Sequence, residues 1–389
     1  MHINRKSYRI KHLAIGIGIV MTFMLAVLLV FAAYGGHIDP ERGTVFALAT
    51  LAFPFVFIVS LMAALLWIIV GQWRVSLLLF LAMGLSWPTV RVISPFNIST
   101  HKPTAKQDST MFKVLTFNVM NFNVMKVGDD SVGNKQGQAT VNYILNQDAD
   151  VVLLQEASLN ADYNDLKLMK PYMKEIKKKY PYRDHGYHDQ IIWSKHPYTK
   201  VEDPAVKEGF AAPDDPVNSY HFYARAFDVL VPGHTVRIFN IHLNSIGLSL
   251  DDRKAFVEMT DFKTEGSRER LKRVRYTLIG KLGLAFRKHA QQARIIREVI
   301  DQSDENVIVC GDFNDTPQSF AYRTVRGSDM HDAWMECGFG PTYTFHGSRL
   351  YFKIDQVLYR GDMIATSCHR DRAGSSDHYP LVTTFVWKN

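Results

Sequence analysis

Hydrophobic positions along this chain follow two regimes that change near residue 95. Leu13 to Tyr34 contains no charged residue, and neither does the run between Arg42 and Arg74. Each is longer than the ~20 residues a bilayer-spanning helix needs. A third apolar run, Val75 to Val90, is shorter and is interrupted by Gly84, Ser86 and Pro88, with Trp73 and Trp87 where interfacial aromatics belong. The pattern predicts a membrane region over 13–95 with helices at about 13–34, 45–70 and 75–92. The other reading of the third run is a re-entrant or interfacial helix, which reverses the side on which the remainder lies. Arg5, Lys6, Arg9 and Lys11 make a basic tail over 1–12 that the positive-inside rule puts in the cytoplasm. Three crossings then place everything after Arg91 outside the cytoplasm. The first run is too long for a signal-peptide core and lacks a clear cleavage site, so it reads as a retained anchor. The expectation is an integral protein of a bacterial inner membrane.

After residue 95 the pattern becomes that of a soluble protein. Residues 96–110 are polar and aperiodic, a linker to a domain over 111–389. Phe112–Val119 is a β-rich run with Asn118 near its end. Gln138–Asn146 has helical spacing, and Ala149–Glu156 is a buried strand ending in a carboxylate. Leu166–Tyr180 reads as a helix with a basic outer face, and Asp189–Ser194 as a strand. Tyr223–Val229 and Thr235–Asn244 form a hairpin about Pro232-Gly233, with His242 near its end. Leu250–Ile300 is largely helical and basic, its last turns carrying a core stripe of Ala293, Ile296, Val299 and Ile300. Val307–Cys310 runs into Gly311-Asp312-Phe313-Asn314-Asp315, a core strand delivering polar groups to a sheet edge; Asp312 and Asn314 share one face of the extended chain. Lys353–Tyr359 is a strand with Asp355 embedded, and Ser376-Asp377-His378 precedes a last strand.

Composition changes this picture little. With 389 residues and 47% hydrophobic content, the chain has room for one large domain beside the membrane region. The net charge of +7 is partly the basic tail, and the rest suits an anionic substrate or a nearby membrane surface. Three cysteines are too few for a disulfide scaffold. His185, His188 and His196 match no common zinc spacing.

The polar residues at strand ends make chemical sense together. Mg²⁺, with Mn²⁺ as its substitute, takes a few oxygen ligands from protein, which Glu156 and Asn118 supply. An aspartate orients or deprotonates water, while histidines and amides neutralise charge on phosphate oxygens. Asp355 can hold His378 in the required tautomer.

Phe117-Asn118, Gln155-Glu156, Ile241-His242-Leu243, Gly311-Asp312-Phe313-Asn314, Ile354-Asp355 and Ser376-Asp377-His378-Tyr379-Pro380 form an ordered series that resembles the endonuclease/exonuclease/phosphatase superfamily. The resemblance implies an α/β (α+β) four-layer sandwich of two mixed β-sheets flanked by helices, preceded by the transmembrane helices. It implies a divalent-metal-dependent phosphoesterase with Glu156, Asn118 and Asp377 as metal ligands. Asp312, Asn314, His242, His378 and Asp355 are the implied catalytic set, with Arg225 and Asn244 as substrate contacts. The expected partners are the lipid bilayer and a phosphate ester: a lipid headgroup, a nucleic acid or a small molecule; no protein partner is identifiable. The alternatives are a nuclease acting on extracytoplasmic DNA or RNA, and a catalytically silent domain that binds lipid or a partner.

Overall fold

The computed structural model describes residues 5–98, 111–123, 130–157, 169–184, 190–201, 224–247, 268–303, 306–347, 350–373 and 376–388. They form two compact units, residues 1–92 with 318–320, and residues 93–317 with 321–389.

The first unit is helical: α1 (Arg5–Tyr34), α2 (Thr44–Ile69), α3 (Trp73–Leu85) and α4 (Trp87–Ile93). Segments Lys11–His37 and Thr44–Ile69 have mean hydropathies of 2.8 and 2.5 and are long enough to cross a membrane. Ile17, Phe23, Met24, Phe55, Leu66 and Ile69 on them are exposed, as lipid-facing side chains are. The helices are joined by polar groups that would otherwise be orphaned in an apolar medium: Trp67 donates to Thr22 Oγ1 at 2.8 Å, Ser76 to Ala64 O at 2.8 Å and Thr89 to Ala33 O at 2.8 Å. The third expected span is broken. Between α3 and α4 the chain bends by 60°, because Ser86 Oγ turns back to Ala82 O and Pro88 has no N–H to continue the ladder. With 13 residues, α3 reaches only about 20 Å at ~1.5 Å per residue, short of the ~30 Å hydrocarbon core.

Among the described residues of the second unit, twelve strands make two six-stranded mixed sheets. They are β1 (Phe112–Asn118), β2 (Val151–Gln155), β3 (Tyr182–Arg183), β4 (Ile191–Ser194), β5 (Tyr198–Lys200), β6 (Ala224–Val231), β7 (His234–His242), β8 (Val307–Asp312), β9 (His331–Asp332), β10 (Asp355–Arg360), β11 (Met363–Arg370) and β12 (Leu381–Trp387). The orders are β11-β12-β1-β2-β4-β3 and β5-β6-β7-β8-β10-β9. Each sheet has one parallel pair, β1 with β2 and β7 with β8, and is otherwise antiparallel. Alternation divides the apolar side chains between two layers. Val114, Val151 and Leu153 of the first sheet share a core with Phe227, Ile238, Ile308 and Val357 of the second. Leu115, Phe117, Val152 and Leu154 face outward against α5 (Asp130–Gln147) and α6 (Met173–Lys179) through Val141, Ile144 and Ile176. Covered on both faces, these strands read as continuous apolar runs.

The long α7 (Arg268–Asp301) buries Phe286, Ala290, Ala293, Ile296 and Ile300 along one stripe. Of the helix expected over 166–180, α6 is described while 166–168 lie outside the described residues, as do the expected helical run 250–267, His185 and His188. Two short helices follow, α8 (Phe320–Arg326) and α9 (Ala333–Cys337), the latter capped by the Asp332 carboxylate, which accepts from the backbones of Trp334 and Met335.

The expected linker 96–110 does not begin as a free tether. Phe96 forms an antiparallel bridge with Phe339 and stacks edge-on with it at 6.1 Å. The Asn97 amide donates to the carbonyls of Met335 and Gly338 at 2.9 and 2.8 Å, satisfying the orphan end of α9. Gly340 N–H donates to Pro95 O.

Candidate active site

The site is built at the C-terminal ends of the two parallel pairs. In the first sheet β1 ends at Asn118, in register with Gln155, and Glu156 follows immediately. In the second, His242 and Asp312 end β7 and β8 and are paired with each other, while the antiparallel neighbour places Asp355 opposite Asp312. Glu156 and Asp312 therefore come from opposing sheets. The Asn118 amide spans the gap, donating to Glu156 Oε1 at 3.1 Å and Asp312 Oδ2 at 3.0 Å.

Asp312 is the hub, and it is buried. Its Oδ2 faces Asn118 Nδ2, His378 Nε2 at 3.6 Å and His242 Nε2 at 3.9 Å; its Oδ1 accepts the Asn314 N–H at 2.8 Å. His242 Nε2 is also 3.9 Å from Glu156 Oε1. His378 is oriented from behind by Asp355 Oδ2, 2.9 Å from its Nδ1. Asp355 in turn is fixed by Thr344, whose hydroxyl accepts the N–H groups of Ile354 and Asp355 at 3.0 Å each. Ser376 donates to Asn118 O at 2.6 Å and accepts the His378 N–H at 3.0 Å, which ties the last loop to the first strand. Phe345 packs edge-on against the His378 ring at 5.1 Å.

The electrostatics follow from burial among charges. Burial by itself lowers the His378 pKa, but the carboxylates of Asp355, Asp312 and Asp377 outweigh it and push the imidazole up to about 10. Burial raises the Asp312 carboxyl, and Asp355 adds to the rise against the opposing pull of His378, His242 and the Asn314 N–H. Three other features store strain at the rim: Glu156, Asn314 and Met120–Phe122 all have φ between +46° and +52°, at a cost of roughly 1–3 kcal/mol for a non-glycine residue. Hydrogen bonds hold them, from Asn121 N to Glu156 O at 2.7 Å and from Asn314 Nδ2 to Leu243 O at 2.8 Å.

The structure thus brings together Asn118, Glu156, His242, Asp312, Asn314, Asp355 and His378, with Asp377 close enough to act on His378. Asn118 enters differently from the metal ligand expected of it. Its Oδ1 accepts the Met120 N–H at 3.1 Å, so its Nδ2 is the group turned toward the carboxylates, and it orients them as a donor. Arg225 is committed elsewhere: its guanidinium is paired with the buried Asp184 and donates to Gln190 O at 2.7 Å, so the expected phosphate contact has no support in the geometry. Asn244 is held through its backbone to α7, its N–H on Gln292 Oε1 and its carbonyl on His289 Nε2. Ser376, Thr344 and His289 were not singled out from the sequence; Ser376 had a signal in its place beside Asp377-His378, the other two only their positions near strand ends and on a helix core stripe.

The donor chemistry suits a hard divalent ion. Asp312, Asp355 and His378 each place a ligand-type atom within 4.8 Å of the others. His378, however, has its Nδ1 engaged by Asp355 and favours the protonated ring, which has no lone pair for a metal. Glu156, half-exposed and aimed by Asn118, is the better anchor for such an ion.

A two-sheet sandwich with paired strand ends presenting carboxylates, amides and an Asp–His pair defines a phosphoester-hydrolase type of centre. The Endonuclease/Exonuclease/phosphatase family profile matches residues 115–378, and the chain belongs to that family. A second profile, a domain of unknown function (DUF8431), matches residues 14–93. No curated protein matches the chain. Solved structures similar to it include an endonuclease/exonuclease/phosphatase from Bacteroides vulgatus, at 18% identity and TM-score 0.46 over 72% of this chain and 100% of that one. D. rerio TDP2 complexed with single-strand DNA product aligns at 14% identity and TM-score 0.45 over 71% and 98% of the two chains. The mannosyl-6-phosphatase of Bacteroides thetaiotaomicron aligns at 17% identity and TM-score 0.43 over 71% and 100%.

Proposed function

We propose that this protein is a phosphoester hydrolase dependent on Mg²⁺ or Mn²⁺, held in the membrane by α1, α2 and the bent α3–α4 pair, which together make a third span, with its catalytic unit outside the cytoplasm. The observation that carries the reading is the convergence of three nitrogens, Asn118 Nδ2, His378 Nε2 and His242 Nε2, on one buried Asp312 oxygen. A carboxylate whose pKa is raised by burial sits closer to neutrality and is the better proton acceptor for water. Asp312 takes the proton of the attacking water, which Asn314 helps to place from the same turn. His378, kept charged by Asp355, faces the phosphate oxygens as they gain charge in the transition state, with His242 beside it. Glu156 would hold the divalent ion, with Asp377 as the second carboxylate and Asn118 as the amide that aims Glu156. When bound, the ion neutralises phosphate charge and polarises the ester. Asn244, two residues beyond His242, is the proposed substrate contact on this turn. The proposed substrate is a phosphate ester, either a diester or a monoester.

The test is turnover by the full chain in detergent micelles or nanodiscs, with Mg²⁺, Mn²⁺ or EDTA, against a model diester, a phosphomonoester, DNA, RNA and a phospholipid headgroup. Metal-dependent cleavage of one class is expected, reduced on the order of 10²–10⁴-fold in Asp312→Asn. Full activity in EDTA, or in Asp312→Asn, overturns the reading.

A further inference from the structure

His289 lies on α7 and is fully buried, a titratable group with no place in the mechanism above. Its Nδ1 faces Asp315 Oδ2 at 3.3 Å and its Nε2 faces Asn244 O at 2.6 Å. Both acceptors lie within hydrogen-bond distance of a ring nitrogen, so the ring bridges them. The two acceptors belong to different turns. Asn244 is two residues beyond His242 at the end of β7, and Asp315 is three beyond Asp312 at the end of β8. Between these turns Leu243 N–H donates to Asp312 O at 3.0 Å and Asn314 Nδ2 to Leu243 O at 2.8 Å. Gln292, one helical turn on from His289, accepts the Asn244 N–H at 3.2 Å. Asp315 also accepts its neighbour's N–H, from Thr316 at 2.8 Å.

We infer that His289 is a positioning residue for the reaction: by bridging both turns at once, it sets the distance of His242 from Asp312 and holds Asn314 in its strained left-handed backbone. The inference rests on the proposed roles of His242, Asp312 and Asn314. A hydrophobic side chain at position 289 would fill the core equally well. It would leave the Asn244 carbonyl without the imidazole and the Asp315 carboxylate with the Thr316 N–H but not the imidazole, where both turns meet α7. Small displacements of positioning groups are costly in rate: about 1 Å can cost roughly 10²-fold.

The experiment compares the full chain with His289→Ala, His289→Gln and Gln292→Ala in nanodiscs, measuring kcat and KM on a model diester together with backbone hydrogen exchange by mass spectrometry. His289→Ala is expected to lower kcat roughly tenfold or more with KM changed by less than about threefold. Exchange should quicken at 243–244 and 313–316 but not in β1 or β12. His289→Gln, which keeps one donor, should fall between wild type and His289→Ala, and it carries the test if His289→Ala fails to fold. Unchanged kcat in both His289 variants, or exchange unchanged in the two turns, overturns the inference. A loss of kcat equal to that of Gln292→Ala and tracking only a lowered melting temperature overturns it too. A wild-type chain without turnover on any substrate refutes the proposed function instead, and exchange in the turns still decides whether His289 holds them.

Discussion

Replacing Asp355 with asparagine isolates one charge of the site. The wild-type carboxylate accepts from His378 Nδ1 at 2.9 Å and is the largest of the influences that raise His378 from 6.5 to about 10. That rise corresponds to roughly 5 kcal/mol of preference for the charged ring, and both side chains are nearly buried, so solvent screens little of it. The raised pKa means a stability contribution fully present below pH 6.5 and lost as pH climbs through about 10. Asparagine removes the charge and keeps the shape. Asp312 and Asp377 still act on His378, so its pKa should fall by about 1–3 units. Asp355 also raises Asp312, so that carboxyl should fall as well. The whole pH–rate bell for a model diester is therefore expected to move toward acid, with kcat at pH 8 reduced on the order of 10²–10⁴-fold. The assay is kcat against pH for wild type and Asp355→Asn in micelles, with circular dichroism to confirm folding. A bell that stays in place, or moves toward alkali, refutes the assignment of His378 as a charged group held by Asp355.

Two further outcomes follow from the packing. Gly311 has φ of +134°, and a Cβ there would lie 2.0 Å from Ile241 O on the neighbouring strand; Gly311→Ala is expected to cost at least about 3 kcal/mol, read as a lowered melting temperature. Arg225→Ala leaves Asp184 buried with only the exposed end of Lys200 for company, so it should destabilise the fold by roughly 3–5 kcal/mol while KM stays unchanged; a raised KM at unaltered stability would restore Arg225 as a substrate contact. Burial raises the Asp184 carboxyl but Arg225 and Lys200 hold it below its ordinary value, so the stability it confers is present above about pH 4 and is lost as pH falls; the variant should lose that acid dependence.

Much of the site was legible because its residues sit where apolar runs stop. Val307–Asp312 needed no partner to be seen as a buried strand ending in a carboxylate, and the same holds for Val151–Gln155 with Glu156. Strand order is a different matter: nothing local says that β2 and β8 belong to separate sheets, since pairing is decided by contacts far apart in sequence. The direction of the Asn118 amide depends on Met120 N–H, and that bond exists only once Met120–Phe122 take their left-handed turn. Arg225 looked available because an exposed-strand arginine and an arginine paired to Asp184 have the same local sequence. His289 was hidden by its helix, whose period places it among Phe286, Ala290 and Ala293 as though it were one more core residue. Strand β11 was missed for the opposite reason, since Thr366, Ser367, His369 and Arg370 dilute its apolar alternation.

The docking of Pro95–Asn97 onto Phe339 and α9 changes what the chain can reach. Asn97 and Phe112 both belong to the second unit, so the stretch between them begins and ends on one body and adds no slack to the joint with α4. Fifteen residues of free tether would span up to ~50 Å, at ~3.3 Å per residue; with Pro95 and Asn97 hydrogen-bonded within the second unit, that full length is not free. On the proposed reading, with α1 and α2 in a bilayer, an enzyme on a short connection meets a substrate of that bilayer by lateral diffusion and responds to amount per unit area. Its turnover would rise when a phosphate ester is concentrated in the plane of a membrane and barely register the same quantity dispersed in the surrounding volume.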